Sequence, residues 1–172
     1  IGFGSAVNLG LTSNRSKYAL VINPDTFLST SFFSDLYEGV IRNNKAGLIA
    51  PTMVGDEYFL TPPNCEFQKT TNHIRHPIDQ IVNFISGACF IVKPNLFPDR
   101  KIFDENIFMF YEDNDLSELV GLMGLEKIVL KDCIIYHQGE SSSYPTPFIN
   151  SLKNFHYGWS ESYFTSKYQS SK

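Results

Sequence analysis

The stretch Phe103-Asp104-Glu105-Asn106-Ile107-Phe108-Met109-Phe110-Tyr111-Glu112-Asp113-Asn114-Asp115-Leu116 sets five carboxylates among apolar and aromatic side chains. A plain core segment avoids that mixture, because a buried charge without a partner costs several kcal/mol or shifts its pKa. A helix that starts at Asn114 or Asp115 and runs to Met123 puts Glu112 and Asp113 at its mouth, where free backbone N–H groups and the macrodipole favour negative charge. A carboxylate held there is well seated to act as a base. Simple capping of the helix by Asp113 or Asp115 is the structural alternative.

Working outward, apolar runs alternate with helical spacing. Gly2 to Leu11 reads as a short helix with a glycine-rich start and small residues on one side, which lets backbone or ligand come close; its Gly-x-Gly is weak evidence of phosphate binding. Tyr18-Ala19-Leu20-Val21-Ile22 reads as a buried strand that stops in the turn Asn23-Pro24-Asp25-Thr26. From Ser31 to Asn43, Phe32, Leu36 and Val40, and beside them Phe33, Tyr37 and Ile41, recur at helical spacing before the strand Gly47 to Ala50. This is a βαβ rhythm. Met53 to Pro77 reads as a long loop shaping a site, with His73, Arg75 and His76 given a surface role in preference to an anion contact. Ala88 to Val92 is a further central strand after Ser86-Gly87, and Gly87 is expected to let substrate approach the backbone. Lys127 to Leu130 and Cys133 to Tyr136 are short strands, the second leading into His137.

The chain ends in a stretch of helical character from Phe148, where Phe155, Trp159 and Tyr163 recur four apart, with Phe164 and Tyr168 beside them. Packing of that stripe on its own domain is preferred to an interfacial membrane helix.

Composition limits the functions open to the chain. Its 172 residues, 42% hydrophobic and 15% aromatic, suit one globular domain, taken as 1–172 with a terminal aromatic helix over 148–172. A net charge of −4 and only four arginines, Arg15, Arg42, Arg75 and Arg100, argue against nucleic acid as a partner. An anionic substrate then needs positive charge from elsewhere, such as a metal ion. Cys65, Cys89 and Cys133 are odd in number and lack ligand spacing, and are read as reduced thiols of a cytoplasmic protein. No apolar run approaches the roughly 20 residues that span a bilayer. The chain opens on Ile1 inside a helix-forming motif, and a preceding portion is expected.

Asn23-Pro24-Asp25, Glu112-Asp113-x-Asp115 and His137 each adjoin the end of an apolar run, and a parallel sheet brings such ends to one edge. Asp25 and His137 offer an oxygen and a nitrogen suited to Mn²⁺ or Mg²⁺, with a diphosphate completing the shell. Asp113 is then available as general base toward an acceptor hydroxyl.

Together with Gly2 to Gly10, Tyr18 to Thr26, Ser86-Gly87-Ala88-Cys89, Phe103-Asp104-Glu105, Phe108 to Leu116, and His137 with Gly139 and Ser141, these motifs resemble the family 2 glycosyltransferases, and most of all their bacterial rhamnosyltransferase-like and galactofuranosyltransferase-like members. The resemblance implies an α/β, GT-A-like three-layer sandwich with a mainly parallel central sheet, incomplete at the N-terminus, where the family's nucleotide-binding strand and loop would precede Ile1. It implies a nucleotide-sugar donor, UDP- or dTDP-linked, a divalent metal, and transfer with inversion to a saccharide or lipid-linked acceptor, in cell-surface polysaccharide synthesis at the inner face of the membrane.

Carried onto this chain, Asp113 matches the catalytic base, and Asp25 and His137 match metal ligands. Asn23 replaces the first acid of the metal-binding motif, and Asn8, Asn23, Ser86, Gly87, Glu112 and Asp115 are expected on the substrate side. The arginine that the family usually carries a few residues after Asp-Leu is absent, since the helix continues Ser117-Glu118-Leu119-Val120. A non-catalytic sugar- or nucleotide-binding module, or an assembly partner in which the acids are structural caps, is the alternative from another class. A metal-dependent phosphoesterase has too few ligands for a two-ion site.

Overall fold

The computed structural model describes residues 1–54, 78–137 and 146–169. Of the loop expected from Met53 to Pro77, Met53 and Val54 instead continue a strand, and the rest, with Cys65, His73, Arg75 and His76, lies outside the described residues, as do Gly139 and Ser141.

Six strands form one sheet: β1 (Ala19–Ile22), β2 (Thr26–Leu28), β3 (Leu48–Val54), β4 (Gln80–Ile81), β5 (Cys89–Val92) and β6 (Lys127–His137). Their order is β1-β5-β3-β6-β2, with β4 also pairing β6. The α/β expectation holds, but the mainly parallel sheet is corrected to a mixed one. Among the described residues only β3 and β6 pair in parallel, whereas β1–β5, β3–β5, β2–β6 and β4–β6 are antiparallel. The physical reason lies in the crossover through α2 (Phe32–Arg42), which leaves a gap of one strand between β1 and β3 that β5 fills running the other way. β1, β3 and β6 nevertheless share a direction, so their carboxyl ends reach one edge of the sheet.

Alternation along the central strands builds two cores. Leu48, Ala50, Phe90 and Val92 face a cluster with Leu11 of α1 (Phe3–Ser13) and Leu116 and Val120 of α3 (Glu112–Leu122). Ile49, Cys89 and Ile91 face the other way, against Phe32, Leu36 and Val40 of α2. Helices on both faces make three layers, while the second helical series, Phe33, Tyr37 and Ile41, lies exposed on the outer side of α2. Burial of Cys89 and Cys133 pushes both thiols up to about 12, so they act as small apolar residues of the core.

Two strand details depart from the sequence reading. β3 continues through Pro51, and the two short strands expected around Leu130 and Ile134 are one strand whose register against β3 shifts between Pro51 and Thr52. That bulge carries β6 on to His137, beyond the level where the central pairing ends. Gly124, at φ +70°, closes α3 as expected, its left-handed backbone letting Leu125 N–H reach Val120 O at 3.1 Å.

Candidate active site

The turn after β1 is held at both ends. Asn23 N–H donates to Ala88 O at 2.8 Å and Thr26 N–H donates to Asn23 O at 3.2 Å, closing a β-turn with Pro24 at its second position. β2 then starts at Thr26, which pairs with His137. The consequence is that Asp25 Oδ1 stands 3.2 Å from His137 Nε2, with side-chain exposures of 14% and 20%. His137 Nε2 is buried and makes no aligned hydrogen bond.

Two ligands on one ion, each about 2.1 Å away at a right angle, are roughly 3 Å apart. The pair therefore fits a divalent cation, with carboxylate and imidazole as the donor set. No third His, Cys, Asp or Glu joins them among the described residues.

The acidic stretch turns sharply before its helix. Phe110 (φ 63°) and Tyr111 (φ 64°) both adopt left-handed backbone, which bulky residues rarely do. α3 consequently begins at Glu112, two residues earlier than the sequence suggested, and Glu112 and Asp113 occupy its first turn rather than the approach to it. Gly87 N–H donates to Asp113 Oδ2 at 3.1 Å, and Asn114 N–H donates to Oδ1 at 3.0 Å. Burial raises the Asp113 pKa against the pull of these donors. Burial also pushes Glu112 up to about 7, helped by the negative charge of Asp113, and one Glu112 oxygen is buried without a hydrogen bond. Both carboxylates line a cleft of about 340 Å³ whose walls are the rings of Phe84, Phe110, Tyr111 and Tyr157.

One short segment joins the two halves. Ala88 O receives the Asn23 N–H, while the neighbouring Gly87 N–H holds Asp113. The carboxylate turn at the end of β1 and the first turn of α3 are thus tied to consecutive residues at the start of β5. Ser86 Oγ accepts from Ala88 N–H at 3.3 Å and stabilises the same bend.

Three residues expected on the substrate side do something else. Asn8 is 1% exposed and is consumed by its own chain: its Nδ2 donates to Phe103 O at 2.8 Å and its Oδ1 accepts from Ile102 and Phe103 N–H at 2.9 and 3.1 Å. It clamps α1 to the start of the acidic stretch. Asp115 is also 1% exposed, and its Oδ1 accepts from Lys167 Nζ at 2.7 Å and Tyr168 OH at 3.0 Å. It is a tether for α4 (Pro147–Gln169). Gly87 spends its N–H on Asp113, and a methyl on its Cα would sit 3.6 Å from Asp113 Cβ, in ordinary contact. Close approach matters instead at Gly2, where an added Cβ would lie 2.3 Å from Phe108 O, so the small face of α1 receives the acidic stretch and not a ligand.

α4 supplies what the sequence reading did not assign. Lys167 Nζ bridges Asp115 and Asp104 Oδ2, the latter at 2.9 Å; burial disfavours charge on Asp104, but the ammonium and the Tyr163 hydroxyl help hold it down to about 2. Tyr163, Phe164 and Tyr168 pack inward on this network and on Tyr111. Phe155 and Trp159, expected to share that packing, are 64% and 55% exposed because they lie on another flank of the helix. Tyr157, four residues before Glu161 and ten before Lys167, is the residue that reaches the cleft. Its signal in the sequence is only its place among so many aromatic residues.

No family model matches the chain. The N-acetylglucosaminyl-diphospho-decaprenol L-rhamnosyltransferases of two strains of Mycobacterium tuberculosis, CDC 1551 / Oshkosh and ATCC 25618 / H37Rv, are each 22% identical over 176 residues, covering 83% of this chain and 57% of their own length. The crystal structure of S. aureus TarS 1–349 in complex with UDP-GlcNAc matches the fold with a TM-score of 0.56 at 17% identity, over 90% of this chain and 46% of that one. The chain thus spans about half the length of these relatives. The structural match bears out the α/β fold, and the rhamnosyltransferase relatives agree with the resemblance to glycosyltransferases.

Proposed function

We propose that this chain is part of a glycosyltransferase domain that moves a sugar from a nucleotide-sugar donor, UDP- or dTDP-linked, to a saccharide or lipid-linked acceptor with inversion at the anomeric carbon. The observation that carries this reading is Asp113: a half-buried carboxylate of raised pKa, oriented by Gly87 N–H, that opens on a cleft and is tied through Ala88 to the Asp25 turn. The names of the relatives support it, since one pairs L-rhamnosyl transfer with a lipid-linked diphosphate acceptor and the other structure holds UDP-GlcNAc.

In this mechanism an acceptor hydroxyl enters the cleft beside Asp113. The carboxylate takes its proton as the oxygen attacks the sugar on the face away from the diphosphate. A single displacement inverts the anomeric centre. Gly87 keeps Asp113 oriented, and the aromatic walls give the acceptor apolar surface beside it. Asp25 and His137 are the residues that would hold Mn²⁺ or Mg²⁺, which when bound supplies positive charge against the departing diphosphate. Asn23, Ser86 and Glu112 are assigned to the substrate side.

The setting proposed is cell-surface polysaccharide synthesis in the cytoplasm, at the inner face of the membrane. No helix among the described residues is long and apolar enough to cross a membrane.

The test is Asp113→Asn in the full-length protein, assayed with a panel of UDP- and dTDP-sugars. Transfer falls at least a hundredfold while donor binding stays near wild type; turnover within tenfold of wild type would remove Asp113 from the role of base.

A further inference from the structure

The cleft beside Asp113 has a chemical character of its own. Its polar floor is Glu112, Asp113 and Asn114, and among the described residues no Lys, Arg or His lines it. A diphosphate or a uronate would meet the acids of that floor with no cation among the described lining residues to offset its charge. Its walls are aromatic, and two of the rings are left open: Tyr157 is 48% exposed and Phe84 44%.

The other two rings are spoken for. Tyr111 donates from its hydroxyl to Glu161 Oε1 at 3.0 Å and meets Phe164 at a tilt of 45°, while Phe110 meets Tyr157 edge-on with centroids 5.7 Å apart. These contacts hold the Tyr157 ring in place and leave part of its surface to the cleft. A volume of about 340 Å³ stands at the small end of ligand clefts, which run to about 1,000 Å³. It suits one ring unit and not a chain.

A neutral ring with an apolar C–H face and hydroxyls around its rim satisfies all of this. From the geometry we infer that Tyr157 and Phe84 form a stacking subsite for a single uncharged pyranose, the acceptor unit whose reacting hydroxyl faces Asp113. Tyr157 is then a specificity-determining residue delivered by α4, a helix that the Lys167 bridge to Asp104 and Asp115 holds across the acidic stretch. This rests on the glycosyltransferase reading for the role of the ring as acceptor, but not for its binding.

The experiment separates the two. Saturation-transfer NMR on the full-length protein with neutral methyl pyranosides and with methyl glucuronide reads binding without turnover. Ring C–H signals are expected from one or more of the neutral pyranosides, at least tenfold weaker binding in Tyr157→Ala, retention in Tyr157→Phe, and no signal from the glucuronide. Phe84→Ala, on a different segment, repeats the loss should Tyr157→Ala fail to fold. Unchanged pyranoside binding in the alanine variants, no binding of any neutral pyranoside, or binding of the glucuronide as tight as theirs overturns the subsite. Pyranoside binding that follows these rules in a protein that transfers no sugar would leave the subsite standing and sink the glycosyltransferase reading.

Discussion

Gly87 and Asp113 are joined by one hydrogen bond, backbone N–H to carboxylate Oδ2 at 3.1 Å, that ties the start of β5 to the first turn of α3. What the site needs from position 87 is the donor, not the missing side chain. Gly87→Ala keeps the donor and adds a methyl at ordinary contact distance from Asp113 and Phe3. Steady-state assays should therefore find kcat and both KM values within about threefold of wild type; a loss beyond tenfold would restore the idea that substrate approaches the backbone there.

Glu112 should set a pH dependence of stability. Its folded pKa of about 7 lies above the ordinary 4.5, so the folded protein holds the proton more tightly than the unfolded chain. The contribution is complete below pH 4.5 and is lost as pH rises through 7, a change of about 3 kcal/mol, and Asp113 adds to it in the same sense. Urea unfolding at pH 4.5 and 7.5 measures the slope. Glu112→Gln should flatten it, and an equal slope in the variant would place the titration elsewhere.

His137→Ala addresses the metal-ligand proposal directly. The variant removes one of two facing donor atoms and keeps the Asp25 carboxylate. Binding of Mn²⁺ to the full-length protein with donor present, followed by electron paramagnetic resonance, should weaken at least tenfold. A superimposable titration would take His137 out of the ligand set.

Asn8→Ala should act on folding and leave substrate kinetics untouched. The change strands the N–H groups of Ile102 and Phe103 and the carbonyl of Phe103 in a buried setting. Loss of a buried acceptor or donor costs about 1–3 kcal/mol each, so a destabilisation of about 3 kcal/mol is expected after relaxation. Donor and acceptor KM should stay within twofold. A raised donor KM in a protein of normal stability would return Asn8 to the substrate side.

Much of this molecule was readable from short-range pattern. Leu48 to Ala50 and Cys89 to Val92 are apolar without interruption, as strands covered on both faces must be, and Phe32, Leu36 and Val40 repeat at the period of a helix. Asp25 and His137 could be paired in the sequence because each follows a strand, and β1 and β6 do run the same way. Glu112 and Asp113 stood out because their charge conflicts with their apolar neighbours.

What pattern could not supply was decided by contacts between distant parts of the chain. Whether β5 enters the sheet along or against its neighbours depends on which gap the α2 crossover leaves, and local residues are indifferent to that. Asp115 and Asp113 are alike in sequence, yet one is closed off by Lys167 and Tyr168 from fifty residues away while the other faces a cleft. Asn8 looked like a ligand-binding amide until Ile102 and Phe103 took up its hydrogen bonds. Period and composition report whether a residue is buried; the partner it meets there, which sets its charge state and its task, is a property of the folded chain.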